Sequence, residues 1–167
     1  MPAAKKGKTK KVLPGETPRF KTVAVNRLAR HDCDILETVE AGLVLLGTEI
    51  KSIRAGHANI RDAYARRSGE DVWLYGCHIA PYASASYMNH EPLRPRKLLL
   101  HRKQVDKLAH EVESKQLTLV PLRLYIKDHH AKIELALVRG KKAWDKRQSI
   151  MERDAQRSIQ REMRQRV

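Results

Sequence analysis

The chain carries several side-chain types that could bind a metal, but they are not spaced to do so. There are eight histidines. The adjacent His129 and His130 would point to opposite sides of an extended strand, and His31 and Cys33 do not belong to a full ligand set with zinc-like spacing. A structural zinc site takes four closely spaced ligands. The sequence therefore predicts neither a metal site nor a cofactor.

Carboxylates are the remaining candidates for catalysis. The acids concerned are Glu37, Glu40, Glu49 and Asp62. They could hold Mg²⁺ in an RNA nuclease only if they converged on one site. The sequence has no glycine-rich phosphate loop, no nucleophile elbow and no HExxH zinc motif. We predict that the protein is not an enzyme. A metal-dependent nuclease stays an alternative, which cleavage of structured RNA with Mg²⁺ would reveal.

The net charge identifies the class of partner. It is +15, with an isoelectric point near 10.1, which favours nucleic acid or an anionic membrane surface. No apolar run approaches the roughly 20 residues that span a bilayer, and no apolar segment follows the basic N-terminus as in a secretory signal. We therefore expect a cytoplasmic nucleic-acid-binding protein with no membrane partner, in which the thiols of Cys33 and Cys77 are reduced.

The charge is concentrated at the two ends of the chain. Residues 1–21 carry +6, residues 140–167 carry +5, and the long middle part, 22–139, carries only +4. Residues 1–21 contain too few apolar groups to fold alone, so we predict a disordered basic arm. The tail at 140–167 has a thin, wrapping apolar stripe, and we expect it to become helical on a polyanion.

Basic residues of the middle part are candidate RNA contacts. Lys51 and Arg54 fall on a predicted short helix, and a second group comprises Arg94, Arg96, Lys97, Arg102 and Lys103. Several phosphate contacts together give salt-dependent binding, although such groups are often only solvated surface. Glu40 is an acid at a predicted strand end. On an RNA-binding face it would have to accept a hydrogen bond from a base edge or a ribose hydroxyl.

Aromatic residues make up only 5% of the chain, so extensive stacking on single strands is not expected. This scarcity favours a folded RNA read by its shape. Trp144 is an exception, because it lies between basic residues of the tail with no apolar neighbours. It either packs back on the domain or stacks on a base.

The hydrophobic periodicity predicts a small β domain. Phe20–Val25 is the first apolar-leaning segment. Strands are predicted at 35–40, 43–46, 59–66, 72–80, 117–127 and from 132 to Gly140, with a turn at Ala41-Gly42. Helices are predicted from Thr48 to Gly56 and over 97–115. Pro121 suggests an edge or a bulge, and Val120, Leu122, Leu124 and Ile126 are placed on one side of their strand. Closure removes exposed edges, so we predict a mostly β, OB-like antiparallel six-stranded barrel with added helices and a basic tail at each end.

Four long runs resemble the SsrA-binding protein family, also called small protein B or SmpB. They are EAGLVLLGTEIKSIRAGHANIRDAYAR, NHEPLRPRKLLLH, LTLVPLRLY and RGKKAWDKR, and the similarity covers about residues 22–155. The resemblance implies an OB-like barrel at 22–139. It also implies binding to the tRNA-like domain of transfer-messenger RNA and delivery of that RNA to stalled ribosomes in trans-translation.

The resemblance also implies roles for individual residues. The RNA-binding set is Asn26, Glu40, Leu99 and Lys132, to which the charge analysis adds Lys51 and Arg54. The tail residues would enter the small-subunit decoding centre and the empty message channel: Gly140, Lys141, Lys142, Trp144, Asp145, Lys146 and Arg147. Relatives often carry His or another ring where this chain has Trp144, so a stacking role survives and an imidazole role does not.

We expect the protein to act as a monomer, with one copy per RNA. Its partners would be transfer-messenger RNA and small-subunit ribosomal RNA. The alternative is a general structured-RNA or ribosomal RNA-binding protein with the same barrel. Competition with bulk tRNA separates these two functions.

Overall fold

A computed structural model of the chain describes residues 20–85 and 89–141, together with single tail residues at 151, 155, 158, 159 and 163. Nearly all of the predicted N-terminal arm lies outside these residues, as do Lys142, Trp144, Asp145, Lys146 and Arg147. The predicted disorder of the arm and the predicted folding of the tail therefore stay predictions.

The described part contains strands, three α-helices and a 3₁₀ turn. The strands are β1 (Phe20–Val25), β2 (Cys33–Leu43), β3 (Ala58–Asn59), β4 (Tyr64–Ser68), β5 (Asp71–Tyr75), β6 (His78–Ile79), β7 (Arg96–Leu99), β8 (Thr118–Lys127) and β9 (His130–Gly140). The helices are α1 (Arg27–Asp32), α2 (Gly47–Ala55) and α3 (Arg102–Lys115), and the 3₁₀ turn is Ala83–Ala85.

Six of the strands close into a ring. The order is β8-β4-β5-β7-β2-β9, and β9 pairs again with β8. Every pairing is antiparallel. β1 adds to β8 as a seventh strand, and β3 and β6 form a separate ribbon. The prediction of a mostly β fold with a six-stranded antiparallel barrel is confirmed.

The barrel interior holds the main core. Ile133, Leu135 and Leu137 point inward and are at most 1% exposed, as their alternation predicts. A register shift between Pro121 and Arg123 makes a bulge in β8. The bulge turns Leu122 to the outer surface, where it packs with Ala29 of α1, Ala136 and Val138. The prediction that Val120, Leu122, Leu124 and Ile126 share one side of the strand is therefore wrong, because the extra residue of the bulge reverses which side chains face inward.

The N-terminal half of the barrel corrects several sequence predictions, among them the strand at 43–46, because β2 ends at Leu43. Ala41-Gly42 is not a turn: β2 runs through it, pairing with Ile133 and Lys132 of β9. α2 does not begin with a Thr48 cap, because the Glu49 carboxylate accepts the Leu46 backbone N–H at 2.7 Å. The predicted end of this helix is confirmed, since Gly56 adopts a left-handed conformation with φ of 90°.

The segment after the long loop is the largest correction. The sequence predicts one helix over 97–115, but the chain forms β7 first and α3 only from Arg102. β7 pairs with β5 on one side and β2 on the other, so it is needed to close the ring. The helical periodicity of its leucines is overridden by these tertiary pairings.

Candidate RNA-binding surface

Glu40 lies at the centre of a hydrogen-bonded group on the outer face of the barrel. β2 and β8 both pair with β9, which brings Glu40, Tyr125 and Lys132 together. One carboxylate oxygen of Glu40 accepts from the Tyr125 hydroxyl and the other from Lys132 Nζ. The Glu40 side chain is 41% exposed and that of Lys132 32% exposed. The carboxylate is therefore held in place while its free lone pairs remain open to a ligand.

The electrostatics of this group explain an acid on a basic protein. Hydrogen bonds from Lys132 and then Tyr125 hold the pKa of Glu40 below its usual value. Burial, together with the hydrogen bond to Glu40, raises the pKa of Tyr125. At neutral pH, Glu40 is therefore ionised and Tyr125 keeps its proton. Lys132 offsets the negative charge, so Glu40 can accept a hydrogen bond without strongly repelling a nearby phosphate.

Leu99 completes the surface from the neighbouring strand. Gly42 pairs with Leu99 on one side and with Lys132 on the other. A Cβ at Gly42 would lie 3.3 Å from the Leu99 Cβ, so a larger residue would crowd the leucine. Leu99 is 54% exposed and borders a groove of about 580 Å³ that Glu40 and Lys132 also line. We call Glu40, Leu99, Tyr125 and Lys132 the Glu40 face.

Asn26 is placed differently from the other predicted RNA contacts. It is 2% exposed, and its Oδ1 accepts the Ala29 backbone N–H as the N-cap of α1. Its amide nitrogen donates to the carbonyl oxygens of Ile60 and Arg61, at 3.2 and 3.1 Å. With this side chain occupied inside the protein, the structure supports a positioning role for Asn26 toward α1 and the 60–61 loop.

Lys51 and Arg54 lie on the exposed side of α2. Arg54 donates to the carbonyl oxygen of His129, at the turn that joins β8 to β9. It is therefore near the hairpin that carries Tyr125 and Lys132. Lys51 instead places its ammonium 5.4 Å from the ring centre of Tyr82. Within the described residues, no contact links Lys51 to the Glu40 face.

The second predicted basic group is largely neutralised. Arg96 is fully buried and donates to the Glu49 carboxylate at 2.9 Å, and Arg94 donates to the same carboxylate at 2.8 and 2.6 Å. Lys97 pairs with Asp71 at 2.6 Å. The interpretation of this group as a phosphate-binding patch is therefore wrong for Arg96, which is a structural residue.

The start of the tail is attached to the barrel. Gly140, the last residue of β9, pairs with Cys33, and a Cβ there would meet no heavy atom within 4 Å. The Lys141 backbone N–H donates to the Asp32 carbonyl at 3.0 Å. The Lys141 ammonium lies 3.4 Å from Asp34, with its side chain 16% exposed. The barrel thus does not require glycine at 140, and Lys141 is engaged with β2.

The described residues offer no candidate metal centre. In ranges 20–85 and 89–141, no three or more His, Cys, Asp or Glu side chains are grouped so that they could hold a metal ion. Glu49 is the most buried of the candidate acids, and its carboxylate accepts hydrogen bonds from two arginines and a backbone N–H. Across the same ranges, no helix has the length and apolarity needed to cross a membrane.

Sequence reasoning missed Tyr125, which holds Glu40, and Gly42, which separates Lys132 from Leu99. Tyr125 reads as one apolar residue of a strand, and its partner Glu40 lies 85 positions away. A signal was present in the type of residue, because a buried Tyr hydroxyl needs a hydrogen-bond partner. Only the strand register identifies that partner.

Known proteins are similar to this chain over most of its length. The family model described as SmpB protein matches residues 23–165. The SsrA-binding protein of Chloroflexus aggregans is 54% identical over 153 residues, covering 91% of this chain and 97% of that protein. The SsrA-binding protein of Roseiflexus castenholzii is 55% identical, covering 88% of this chain and 94% of its own length.

A solved structure has the same fold. A chain from the structure described as "tmRNA-SmpB: a journey to the center of the bacterial ribosome" superimposes with a TM-score of 0.61. It is 50% identical and covers 71% of this chain and 84% of its own.

Proposed function

This chain belongs to the SmpB family of SsrA-binding proteins, and from that membership we propose that it binds the tRNA-like domain of transfer-messenger RNA and brings this RNA to stalled ribosomes in trans-translation. It does so in the cytoplasm, as a non-enzymatic RNA-binding protein without a cofactor. One monomer binds one RNA. The observation that carries the proposal is the Glu40 face beside its groove.

The Glu40 face combines three kinds of recognition. The ionised Glu40 accepts a hydrogen bond from a ribose hydroxyl or a base edge, a feature that a nonspecific basic patch lacks. Lys132 supplies a positive charge for a phosphate. Exposed Leu99 offers an apolar surface on which an unstacked base or a ribose can pack. This combination fits a folded RNA that displays bases outside a regular helix.

The tail acts at a second place. β9 carries Lys132 on the Glu40 face and ends at Gly140, about eight residues or 27 Å of strand further on. The tail therefore leaves the barrel well away from the bound RNA. Lys142, Trp144, Asp145, Lys146 and Arg147 then contact ribosomal RNA in the decoding centre, and the following residues fold in the empty message channel. A message still in that channel competes for the same space.

Substitutions at Glu40 test the barrel half of this proposal. Glu40→Gln keeps the shape but loses the charge-assisted hydrogen bond, and we expect affinity for transfer-messenger RNA to fall about tenfold or more. The slope of log affinity against log salt should stay unchanged, because Glu40 makes no phosphate contact. Lys132→Ala should instead reduce that slope by about one.

Two matched variants complete the experiment. Glu113→Gln removes one acid beside β4, on the other side of the ring, and should leave affinity unchanged. Tyr125→Phe keeps the ring but releases Glu40, and should give part of the Glu40→Gln loss. If Glu40→Gln and the Glu113→Gln control bind transfer-messenger RNA with equal affinity, the Glu40 face is not part of the binding site.

A further inference from the structure

The aromatic residues of this chain are few, but they are not evenly spread. The chain has eight, and three of them (Tyr64, Trp73 and Tyr75) lie on the outer face of the β4–β5 hairpin. Tyr64 and Arg66 flank the buried Ala65, and Trp73 and Tyr75 flank the buried Leu74. We call Tyr64, Arg66, Trp73 and Tyr75 the tyrosine face.

The geometry of the tyrosine face suits a flat ligand. Tyr64 and Tyr75 pair across the hairpin with ring centres 5.5 Å apart and planes inclined by 20°. Tyr64 is 46% exposed, so one side of the stack is open to solvent. Arg66 pairs in register with Trp73. A crevice of about 270 Å³ lies beside both tyrosines and is lined by Arg66, Arg67 and Ser68.

The charges on this face favour an anionic ligand. No carboxylate pairs with Arg66 among the described residues. The acid on the same hairpin face, Asp71, is paired with Lys97 at 2.6 Å. An open aromatic ring next to an unpaired guanidinium is the combination that binds unstacked bases and their phosphates.

Tyr64 and Arg66 of the tyrosine face lie away from Glu40 and Lys132, whereas Leu99 of the Glu40 face is on β7, which pairs with β5. β5 is three strands from β9 in either direction around the ring, and β4 is three strands from β2. A ligand held by Glu40 and Lys132 therefore leaves Tyr64 and Arg66 on β4 accessible.

We propose that the tyrosine face is a second RNA-binding surface, which takes an unpaired RNA segment by stacking one base on Tyr64 while Arg66 contacts the adjacent phosphate. The site differs in kind from the Glu40 face, because it selects single-stranded RNA through ring stacking. The low aromatic content argues against extensive stacking, but the clustering of three rings provides one local platform.

Tryptophan fluorescence tests this directly. The chain has two tryptophans, so Trp144→Phe leaves Trp73 as the single reporter, next to the site. In the full chain with this change, an oligoadenylate of about eight nucleotides should quench Trp73, a length within the range that single-strand sites occupy. A duplex RNA of the same length should not. Equal quenching by the duplex, or none by the oligoadenylate, would overturn the proposal.

Variants in this background assign the residues. Tyr64→Ala should weaken oligoadenylate binding about tenfold, in the range for loss of one base stack, whereas Tyr64→Phe should retain it. Arg66→Ala should weaken binding severalfold and reduce the slope of log affinity against log salt. Lys103→Ala on α3, which also removes one positive charge, should do neither. If Lys103→Ala and Arg66→Ala behave alike, the site is nonspecific charge and the proposal fails. Thermal melting of each variant confirms folding, since Tyr64 and Arg66 are exposed.

A crossed measurement separates this proposal from the function of the Glu40 face. Lys132→Ala should weaken binding of transfer-messenger RNA and leave oligoadenylate binding unchanged. If it also weakens oligoadenylate binding, the oligonucleotide occupies the Glu40 face and the second surface is refuted. If oligoadenylate binding persists while Glu40 and Lys132 variants leave transfer-messenger RNA binding intact, the proposed role of the Glu40 face fails alone.

Discussion

Alanine at Lys142, Asp145, Lys146 and Arg147 is expected to reduce peptide tagging on stalled ribosomes to background. Affinity for transfer-messenger RNA should change less than about threefold, under about 0.7 kcal/mol. The two activities should separate because the Glu40 face lies on the barrel, whereas these four residues follow the last strand. Lys141 is left unchanged because it bonds to Asp32 and Asp34 and holds the tail to the barrel. Tagging in a reconstituted translation system and RNA affinity by filter binding measure the two effects.

The control for this variant removes the same net charge elsewhere. The four alanines delete three bases and one acid, so Lys5→Ala with Lys6→Ala, in the N-terminal arm, gives an equal change of two charges. Tagging should persist in this control. An equal loss of RNA affinity and tagging in the tail variant would contradict the division of labour between barrel and tail.

Glu49→Ala is expected to give the largest loss of stability, about 3–5 kcal/mol. The Glu49 carboxylate is fully buried between Arg94 and Arg96. Its removal leaves the buried Arg96 guanidinium without a counter-charge, a cost well above that of losing an exposed pair. The melting temperature should fall by roughly 10–20 °C. Glu37, whose partly exposed side chain pairs with Lys107 at 2.7 Å, is the control: Glu37→Ala should cost less than about 1 kcal/mol.

The pH dependence of stability follows from the same carboxylate. Burial raises the pKa of Glu49, but hydrogen bonds from Arg94, the Leu46 N–H and Arg96 outweigh it, so the pKa is lowered. Its stabilising contribution is therefore present above the unfolded pKa of about 4.3 and is lost as the pH falls through the lower, folded value. Glu49→Gln should flatten this acid limb of the stability curve. An unchanged limb would show that another carboxylate controls acid unfolding.

This ion-pair network also bears on RNA binding. Arg96 begins β7, the strand that presents Leu99, and it also donates to the carbonyl oxygens of Cys77 and Pro92. Glu49 therefore fixes α2 and the loop before β7 to each other. Loss of RNA affinity in a Glu49 variant would come from misplacement of Leu99.

The sequence predicted the architecture well where periodicity was local. The alternation of Ile133, Leu135 and Leu137 identified a buried strand, and the expectation that the sheet closes to avoid exposed edges predicted the six-stranded ring. The predicted family was also confirmed, because long unbroken runs are specific in a way that short motifs are not. These predictions could be made from residues that are neighbours in the sequence and from the number of strands.

The sequence predictions were wrong where the structure of a segment depends on residues far away in the sequence. Leu98 fits a helical face with Val105, and only pairing with Val72 and Leu43 makes it part of a strand. Arg96 reads as one more surface base, because Glu49, its partner in the core, is 47 positions away. Pro121 indicated a bulge correctly, but not which side chains it would turn outward. Burial and register are tertiary facts that composition does not contain.

The candidate site shows the same limit. Glu40, Leu99 and Lys132 came from resemblance, and the structure brings them around Gly42 as one surface. Asn26, from the same set, is buried. Tyr125 has no sequence signal that ties it to Glu40, although its hydroxyl holds the carboxylate. The structure thus adds a reason why an acid can lie on the proposed RNA-binding face: a neighbouring lysine balances its charge and a buried tyrosine orients it.

The most direct test of the central claim is competition between labelled transfer-messenger RNA and unlabelled bulk tRNA for the full-length protein. We predict that displacing half of the labelled RNA requires about a hundredfold more bulk tRNA than unlabelled transfer-messenger RNA, a preference of about 2.8 kcal/mol. Glu40→Gln should reduce this preference, and the Glu113→Gln control should retain it. Equal displacement by the two RNAs would contradict the account and indicate a general structured-RNA-binding protein.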